Sequence, residues 1–108
     1  WGDGLQTRSF LYIDECIEGI LRLMRSDFQG PVNIGSDEMV SINTLGKMII
    51  GLSNKRLSLK NVAGPLGVRG RTSDNNLIFK ELGWKPSMPL SAGIAETFNW
   101  ICKQIEKA

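Results

Sequence analysis

The sequence predicts a small α+β fold of about four helices with two or three short strands. Two observations carry this prediction: apolar residues recur at the helical period in several segments, and brief β-rich segments stand between them. The length of 108 residues, of which 42% are hydrophobic, suits a single domain over residues 1–108. We expect a unit of this size to be marginally stable alone and more stable against a larger partner.

The first strand and helix are predicted within residues 8–25. Segment 8–13, RSFLYI, is aromatic and β-rich and therefore predicts a strand. Asp14 stands at the N-cap position before the next apolar helical pattern, so we expect a helix from Asp14 to about Arg25. Its apolar residues follow the helical period and predict one face that packs inward: Ile13, Ile17, Ile20, Leu21 and Met24.

A second strand and helix are predicted between residues 32 and 54. The alternation in residues 32–34, VNI, indicates a short strand. Ser41 is predicted to cap the second helix, because Val40 and Leu45 around it have the spacing of a hydrophobic staple. Residues 53–54, Ser-Asn, end this helix in the prediction.

The last third of the chain predicts one more strand and two helices. Residues 57–59 alternate as a third short strand and lead into a glycine- and proline-bearing loop over residues 63–71. Asp74 is predicted to cap a short helix that ends at Gly83, a residue suited to the left-handed position after a helix. Ser91 is predicted to cap the final helix.

Charge and residue types exclude several classes of function. The net charge of +2 comes from scattered basic residues without interleaved aromatic residues, so we expect no nucleic acid partner. No apolar run approaches the ~20 residues of a membrane span, so no membrane association is expected. Without histidine, the two cysteines cannot complete a zinc site or a Cys-His nucleophile. We expect Cys16 and Cys102 to be buried free thiols, which fits a cytoplasmic protein.

Two arginine-bearing segments are the strongest functional signal. Gln6, Thr7 and Arg8 lie between a glycine-rich turn and the first strand, and Arg69 and Arg71 lie in the loop VRGRTSDN. A guanidinium group binds phosphate through a planar fork of donors, so the two segments together would clamp a diphosphate. The alternatives are an exposed strand-edge role for Arg8, a turn role for Gln6 and Thr7, and an ion pair with a protein carboxylate for Arg69.

Longer motifs in the chain resemble a known family. WGDGLQTRSF, FQGPVNIGSDEMVS, GVRGRTSDN and LGWKP together resemble the C-terminal substrate domain of extended short-chain dehydrogenase/reductases that act on nucleotide sugars. The resemblance implies that Gln6, Thr7 and Arg8 contact the diphosphate and ribose of a GDP-mannose-like substrate, and that Arg71 reaches the pyrophosphate. It also implies, less directly, that Arg69 contacts the pyrophosphate.

The same resemblance implies that the catalytic part lies elsewhere. The family uses NAD, a glycine-rich phosphate loop and a tyrosine with a lysine four residues later. None of these is found here: four residues after Tyr12 stands Cys16, and the turn at Gly2 and Gly4 leads into a strand. We therefore expect a C-terminal fragment of a longer epimerase, inactive alone, with no cofactor in this chain and NAD in a missing N-terminal Rossmann domain.

The sequence leaves three hypotheses about function open. The first is the substrate domain of a nucleotide-sugar epimerase, with the Rossmann domain as its partner and a homodimer as the implied assembly. The second is the substrate domain of a 4-epimerase or a 4,6-dehydratase, because a shared scaffold does not fix the sugar chemistry. The third is a stand-alone binding or interaction module without catalysis.

Overall fold

The computed structural model describes residues 1–107 and has the predicted α+β architecture, with four helices and one three-stranded sheet among these residues. No helix in this range is both long and apolar enough to cross a membrane. In chain order the elements are β1 (Thr7–Ser9), α1 (Ile13–Met24), β2 (Met39–Ser41), α2 (Ile42–Ser53), β3 (Gly70–Arg71), α3 (Asn76–Leu82) and α4 (Leu90–Glu106).

The sheet has β1 in its centre. β2 pairs with β1 in antiparallel fashion, with Arg8 opposite Val40, and β3 pairs with β1 in parallel, with Arg8 beside Arg71. The strands predicted over residues 32–34 and 57–59 are wrong, because neither segment has a strand partner. Strand formation depends on distant backbone partners, and β3 is a Gly-Arg pair that has no strand signal of its own.

Three helix boundaries agree with the sequence prediction. The Ser41 hydroxyl accepts a hydrogen bond from the Thr44 N–H at 3.0 Å, so Ser41 caps α2 as predicted. Asn54 ends α2 in the left-handed conformation, with φ of 52°. Gly83 ends α3 in the same way, with φ of 60°.

The other three predicted caps differ from the structure. Tyr12 precedes α1, so Asp14 lies inside its first turn. Asn75 is the residue before α3, although the Asp74 carboxylate still accepts from the Asn76 N–H at 2.9 Å. Ser91 lies inside α4, and the first N–H of that helix, at Leu90, donates instead to the Glu38 carboxylate at 2.7 Å.

The predicted inward face of α1 is exposed, and the prediction that it packs within this chain is wrong. Ile17 is 47% exposed and Met24 is 75% exposed. The helix instead packs through Gly19, where an added Cβ would lie 2.7 Å from the Ile34 side chain and 2.9 Å from the Trp84 ring. Glycine permits this close approach, so the small side of α1 meets the body and the large apolar side does not.

The core of the described chain is small for its size. Among residues 1–107 the buried hydrophobic side chains are Ile78, which is fully buried, and Leu90, and the body measures 50 × 36 × 21 Å. Its accessible surface is 7845 Å², whereas a folded protein of this mass ordinarily exposes about 6,000 Å². The excess, roughly 1,900 Å², is comparable to one side of a large obligate interface.

Candidate functional site

The sheet brings the two predicted anion-binding arginines together. Arg8 and Arg71 are register partners on adjacent parallel strands, so their side chains leave the same face of the sheet. Both line one open cleft of about 270 Å³. The rest of its lining is mostly polar or small: Ser9, Asn33, Ile34, Gly35, Thr72 and Ser73.

Neither arginine of this pair is neutralised by a carboxylate in residues 1–107. Arg8 donates to the neighbouring Thr7 carbonyl at 2.6 Å, and Arg71 is exposed. The pair therefore presents two positive charges to the cleft. Such a surface suits a ligand with two adjacent negative groups.

Gln6 is buried beside this sheet, with 8% of its surface exposed. Its Nε2 donates to the Trp1 carbonyl at 3.2 Å, while its buried Oε1 has no hydrogen-bond partner among the described residues. A buried acceptor without a partner costs about 1–3 kcal/mol. Gln6 does not line the cleft.

Thr7 joins the site through its backbone and not through the cleft. Its N–H donates to the Arg69 carbonyl at 2.9 Å, and its register partner on β3 is Gly70. A Cβ added at Gly70 would lie 3.0 Å from the Thr7 hydroxyl, so the two strands approach closely at this point. Thr7 thus helps to fix the spacing between the strands that carry Arg8 and Arg71.

Arg69 is engaged by a protein carboxylate, as one of the sequence alternatives proposed. Its Nη1 and Nη2 donate to the two Asp3 oxygens at 3.1 and 2.9 Å. The Arg69 hydrogen bond, with a further bond from the Leu5 N–H, holds the pKa of the Asp3 carboxyl below its usual value. Asp3 in turn raises the pKa of Arg69. Arg69 does not line the cleft.

Sequence reasoning missed the polar loop residues that complete the cleft. Asn33, Gly35 and Ser73 lie in segments predicted as a strand, its end and a plain loop. A Cβ added at Gly35 would lie 2.8 Å from that of Ser73, which shows how closely these two loops approach. The local signal for Asn33 and Gly35 was the segment PVNIGS within the motif FQGPVNIGSDEMVS. That segment does not indicate which distant loop it contacts.

The cleft is too small to enclose a whole nucleotide sugar. Pockets that bury a drug-sized ligand usually measure ~300–1,000 Å³, and this cleft is below that range. Its two guanidinium groups, with hydroxyl and amide donors nearby, can hold a phosphate-bearing part of a ligand.

A larger groove of about 900 Å³ runs between α4, α2 and the segment before α1. Its lining is mostly apolar, and Tyr12 lies in it. Burial raises the pKa of Tyr12, and the nearby Asp14 and Glu96 carboxylates raise it further. Ile13 belongs both to this groove and to the exposed apolar face of α1.

Comparison with known proteins confirms the resemblance drawn from the motifs. The chain is 60% identical over 107 residues to a GDP-mannose 3,5-epimerase of Arabidopsis thaliana, which covers 99% of this chain and 28% of that protein. It is 31% identical over 113 residues to a probable GDP-L-fucose synthase of Oryza sativa subsp. japonica, of which it spans 33%. No family model matches.

Solved structures share the fold. A UDP-glucose 4-epimerase of Thermotoga maritima superposes with a TM-score of 0.91 at 24% identity, over 97% of this chain and 34% of that one. A UDP-glucuronic acid 4-epimerase of Bacillus cereus superposes with a TM-score of 0.80 at 30% identity, over 95% of this chain and 33% of that one. The fold is thus that of the C-terminal portion of extended short-chain dehydrogenase/reductase epimerases, without a Rossmann part. The chain spans about a third or less of these relatives.

Proposed function

We propose that this chain, which matches GDP-mannose 3,5-epimerases over nearly its whole length, is the nucleotide-sugar-binding portion of an enzyme with that activity. The observation that carries the proposal is the pairing of Arg8 with Arg71 across β1 and β3, beside a cleft that lacks a protein counter-charge in residues 1–107. In this proposal both guanidinium groups hold the diphosphate, and the rest of the enzyme holds the base and the sugar.

Gln6 and Thr7 have supporting roles in the proposed site. Gln6 would support the site from outside the cleft, because its Nε2 donates to the Trp1 carbonyl and so holds the turn that precedes β1. Thr7 would keep the two arginine-bearing strands in register. Binding of this kind, away from the reacting carbon, places the sugar for reaction.

The residues of this chain do not fit NAD. The Gly2-Asp3-Gly4 turn leads into β1, whereas a dinucleotide-binding loop leads from a strand into a helix N-terminus. We therefore propose that NAD binds an N-terminal Rossmann portion of the same polypeptide. The isolated chain is expected to lack epimerase activity, since the tyrosine and lysine of the family's acid-base pair would also lie there.

That Rossmann portion is the proposed partner of the exposed apolar surface. The excess of roughly 1,900 Å² over an ordinary folded protein is larger than a typical interface between domains, and the face of α1 contributes Ile13, Ile17, Ile20, Leu21 and Met24 to it. A stand-alone module would leave this surface in water. Cys16 and Cys102 are free thiols, but they are half-buried and not buried as the sequence predicted. We further propose a cytoplasmic enzyme, since both thiols are free, and a homodimer whose contacts lie mainly in the Rossmann portion.

Titration calorimetry on the full-length enzyme tests the proposed site. Arg71→Ala and Arg8→Ala should each raise the Kd for GDP-mannose at least about tenfold, because each removes a charge-assisted contact. Arg56→Ala is the matched control, since Arg56 is exposed and lies outside the cleft. An unchanged Kd in both site variants would contradict the proposal.

The choice of nucleotide separates the proposal from its nearest alternative. GDP-mannose, UDP-glucose and dTDP-glucose share the diphosphate that the arginines would bind, so the Arg71→Ala loss should be similar for any of them that binds. Preference for UDP-glucose or dTDP-glucose over GDP-mannose would favour a 4-epimerase or a 4,6-dehydratase. Preference for GDP-mannose supports the 3,5-epimerase.

A further inference from the structure

The strand that carries Arg71 belongs to an exposed segment. Every residue from 54 to 72 is exposed, and β3 consists of only two residues within this segment. Leu66 approaches Gly2 and Trp1 approaches Gly64 closely. Hydrogen bonds add to these contacts with the N-terminal turn: the Gly2 N–H donates to the Val62 carbonyl at 2.8 Å, and Asn61 Nδ2 donates to the Gly2 carbonyl at 3.0 Å. Polar contacts therefore help to fix the position of this segment.

Asp3 connects the approaches to both arginine-bearing strands. Its Oδ1 accepts from the Leu5 N–H at 2.9 Å, which shapes the turn that leads into β1. The same carboxylate accepts two hydrogen bonds from Arg69, which stands next to β3. One side chain thus holds the start of β1 and the start of β3 together.

The geometry of this ion pair distinguishes it from an ordinary surface pair. Exposed ion pairs usually contribute little, but bidentate pairing between arginine and a carboxylate is the favourable exception. The Arg69 carbonyl also accepts from the Thr7 N–H at 2.9 Å, so the backbone of Arg69 is fixed as well. An Arg69 that instead reached toward the cleft would have to give up both side-chain bonds to Asp3.

We propose that Asp3 and Arg69 form a positioning pair that holds Arg71 beside Arg8 for binding of the diphosphate. This inference rests on the proposed function, since it concerns how the same cleft is kept in shape. It gives Arg69 a role different from direct contact with the ligand. It also assigns different roles to two arginines of one loop that are separated by a single glycine.

Asp3→Asn in the full-length enzyme tests the pair. Asparagine keeps an oxygen that can accept from the Leu5 N–H, so this variant removes the charge and spares the turn. We expect the Kd for GDP-mannose to rise about fivefold, with KM raised and kcat little changed. If Arg69 binds the diphosphate itself, Asp3→Asn frees it, and unchanged or tighter binding would overturn the proposal.

A double-variant cycle separates the two roles of Arg69. For a positioning pair, Arg69→Gln weakens binding about as much as Asp3→Asn, and the double variant is no weaker than either single variant. For direct ligand contact, the loss caused by Arg69→Gln persists in the Asp3→Asn background. Independent, additive losses would therefore count against the pair.

Two controls keep this result interpretable. Lys85→Gln breaks another exposed ion pair between distant segments, Lys85 with Asp37 at 3.8 Å, and should leave the Kd unchanged. A cooperative unfolding transition of Asp3→Asn that begins well above the temperature of the binding assay would show that the loss of affinity is not general unfolding. An unchanged Kd in Arg71→Ala would contradict the proposed function itself, whereas a loss in Arg71→Ala without one in Asp3→Asn would contradict only the positioning pair.

Discussion

Arg69 and Arg71 are chemically identical and stand two residues apart, yet their surroundings differ completely. Arg69 donates hydrogen bonds from both of its terminal nitrogens to Asp3, whereas Arg71 lines the cleft beside Arg8. Strand pairing explains the difference, because only Arg71 has Arg8 as its register partner. The sequence therefore shows which chemical groups a residue offers. Backbone pairing between distant segments decides which partner that residue contacts.

The Asp3–Arg69 pair predicts a pH dependence with a definite sign. Because Arg69 lowers the pKa of Asp3 below 3.8, the pair stabilises the fold above that pH and loses this effect as pH falls through the lowered pKa. In urea unfolding, Asp3→Asn should be less stable than the parent near neutral pH, and the difference should vanish in acid below the lowered pKa. A difference that stays constant across this range would contradict the pair.

NMR titration gives a direct measurement of the same pair. In folded protein, Arg69→Gln should return the pKa of the Asp3 carboxyl toward 3.8, because it removes the principal hydrogen bond to that group. Arg56→Gln, on an exposed residue outside the cleft, is the control and should leave the Asp3 titration unchanged.

At the scale of elements, helices were largely predictable and strands were not. The apolar period located α1, α2 and α4, and the predicted cap and stop residues located α3, because these signals are local. β2 and β3 were missed, since a three-residue and a two-residue strand exist only through their pairing with β1. The same limit applies to the cleft. Chemistry predicted that the segment of Arg8 and the loop of Arg69 and Arg71 act together, and the family resemblance singled out Arg71, but Asn33 and Ser73 required the fold to bring their loops together.

Helix capping offers a matched pair of serines for a stability test. Ser41→Ala should cost about 1 kcal/mol of unfolding free energy, because the Ser41 hydroxyl accepts from the Thr44 N–H at the start of α2. Ser91→Ala should change stability by less than about 0.5 kcal/mol, since Ser91 lies within α4 and makes no cap bond. Equal losses in denaturant unfolding would contradict the assigned helix starts.

At the scale of the whole molecule, the amphipathic pattern of α1 correctly identified an apolar face but assigned it to the wrong neighbour. Sequence periodicity shows that a face is to be buried and carries no information on which polypeptide segment buries it. Here the inward side is the one with Gly19, and the outward side carries the large apolar residues. The small core, with Ile78 and Leu90 as the buried hydrophobic side chains of residues 1–107, agrees with a body completed by further chain.

Thiol labelling can test whether the α1 face is covered in the complete enzyme. Ile17→Cys should react readily in the isolated chain, where Ile17 is 47% exposed, and should be protected in the full-length protein. Lys60→Cys, on the exposed segment away from α1, should react in both. Equal reactivity of Ile17→Cys in both proteins would mean that this face remains open to solvent.

The parallel pairing of β1 with β3 also has a consequence for the order of folding. Thr7 and Gly70 pair across two helices and the long exposed segment, whereas β1 and β2 are joined through a shorter stretch. Long-range parallel contacts form slowly, because the loop-closure entropy must be met before they stabilise the chain. The pairing of Arg8 with Arg71 is therefore expected to form after α1 and α2. A diphosphate ligand that bridges both strands would favour this last step by mass action.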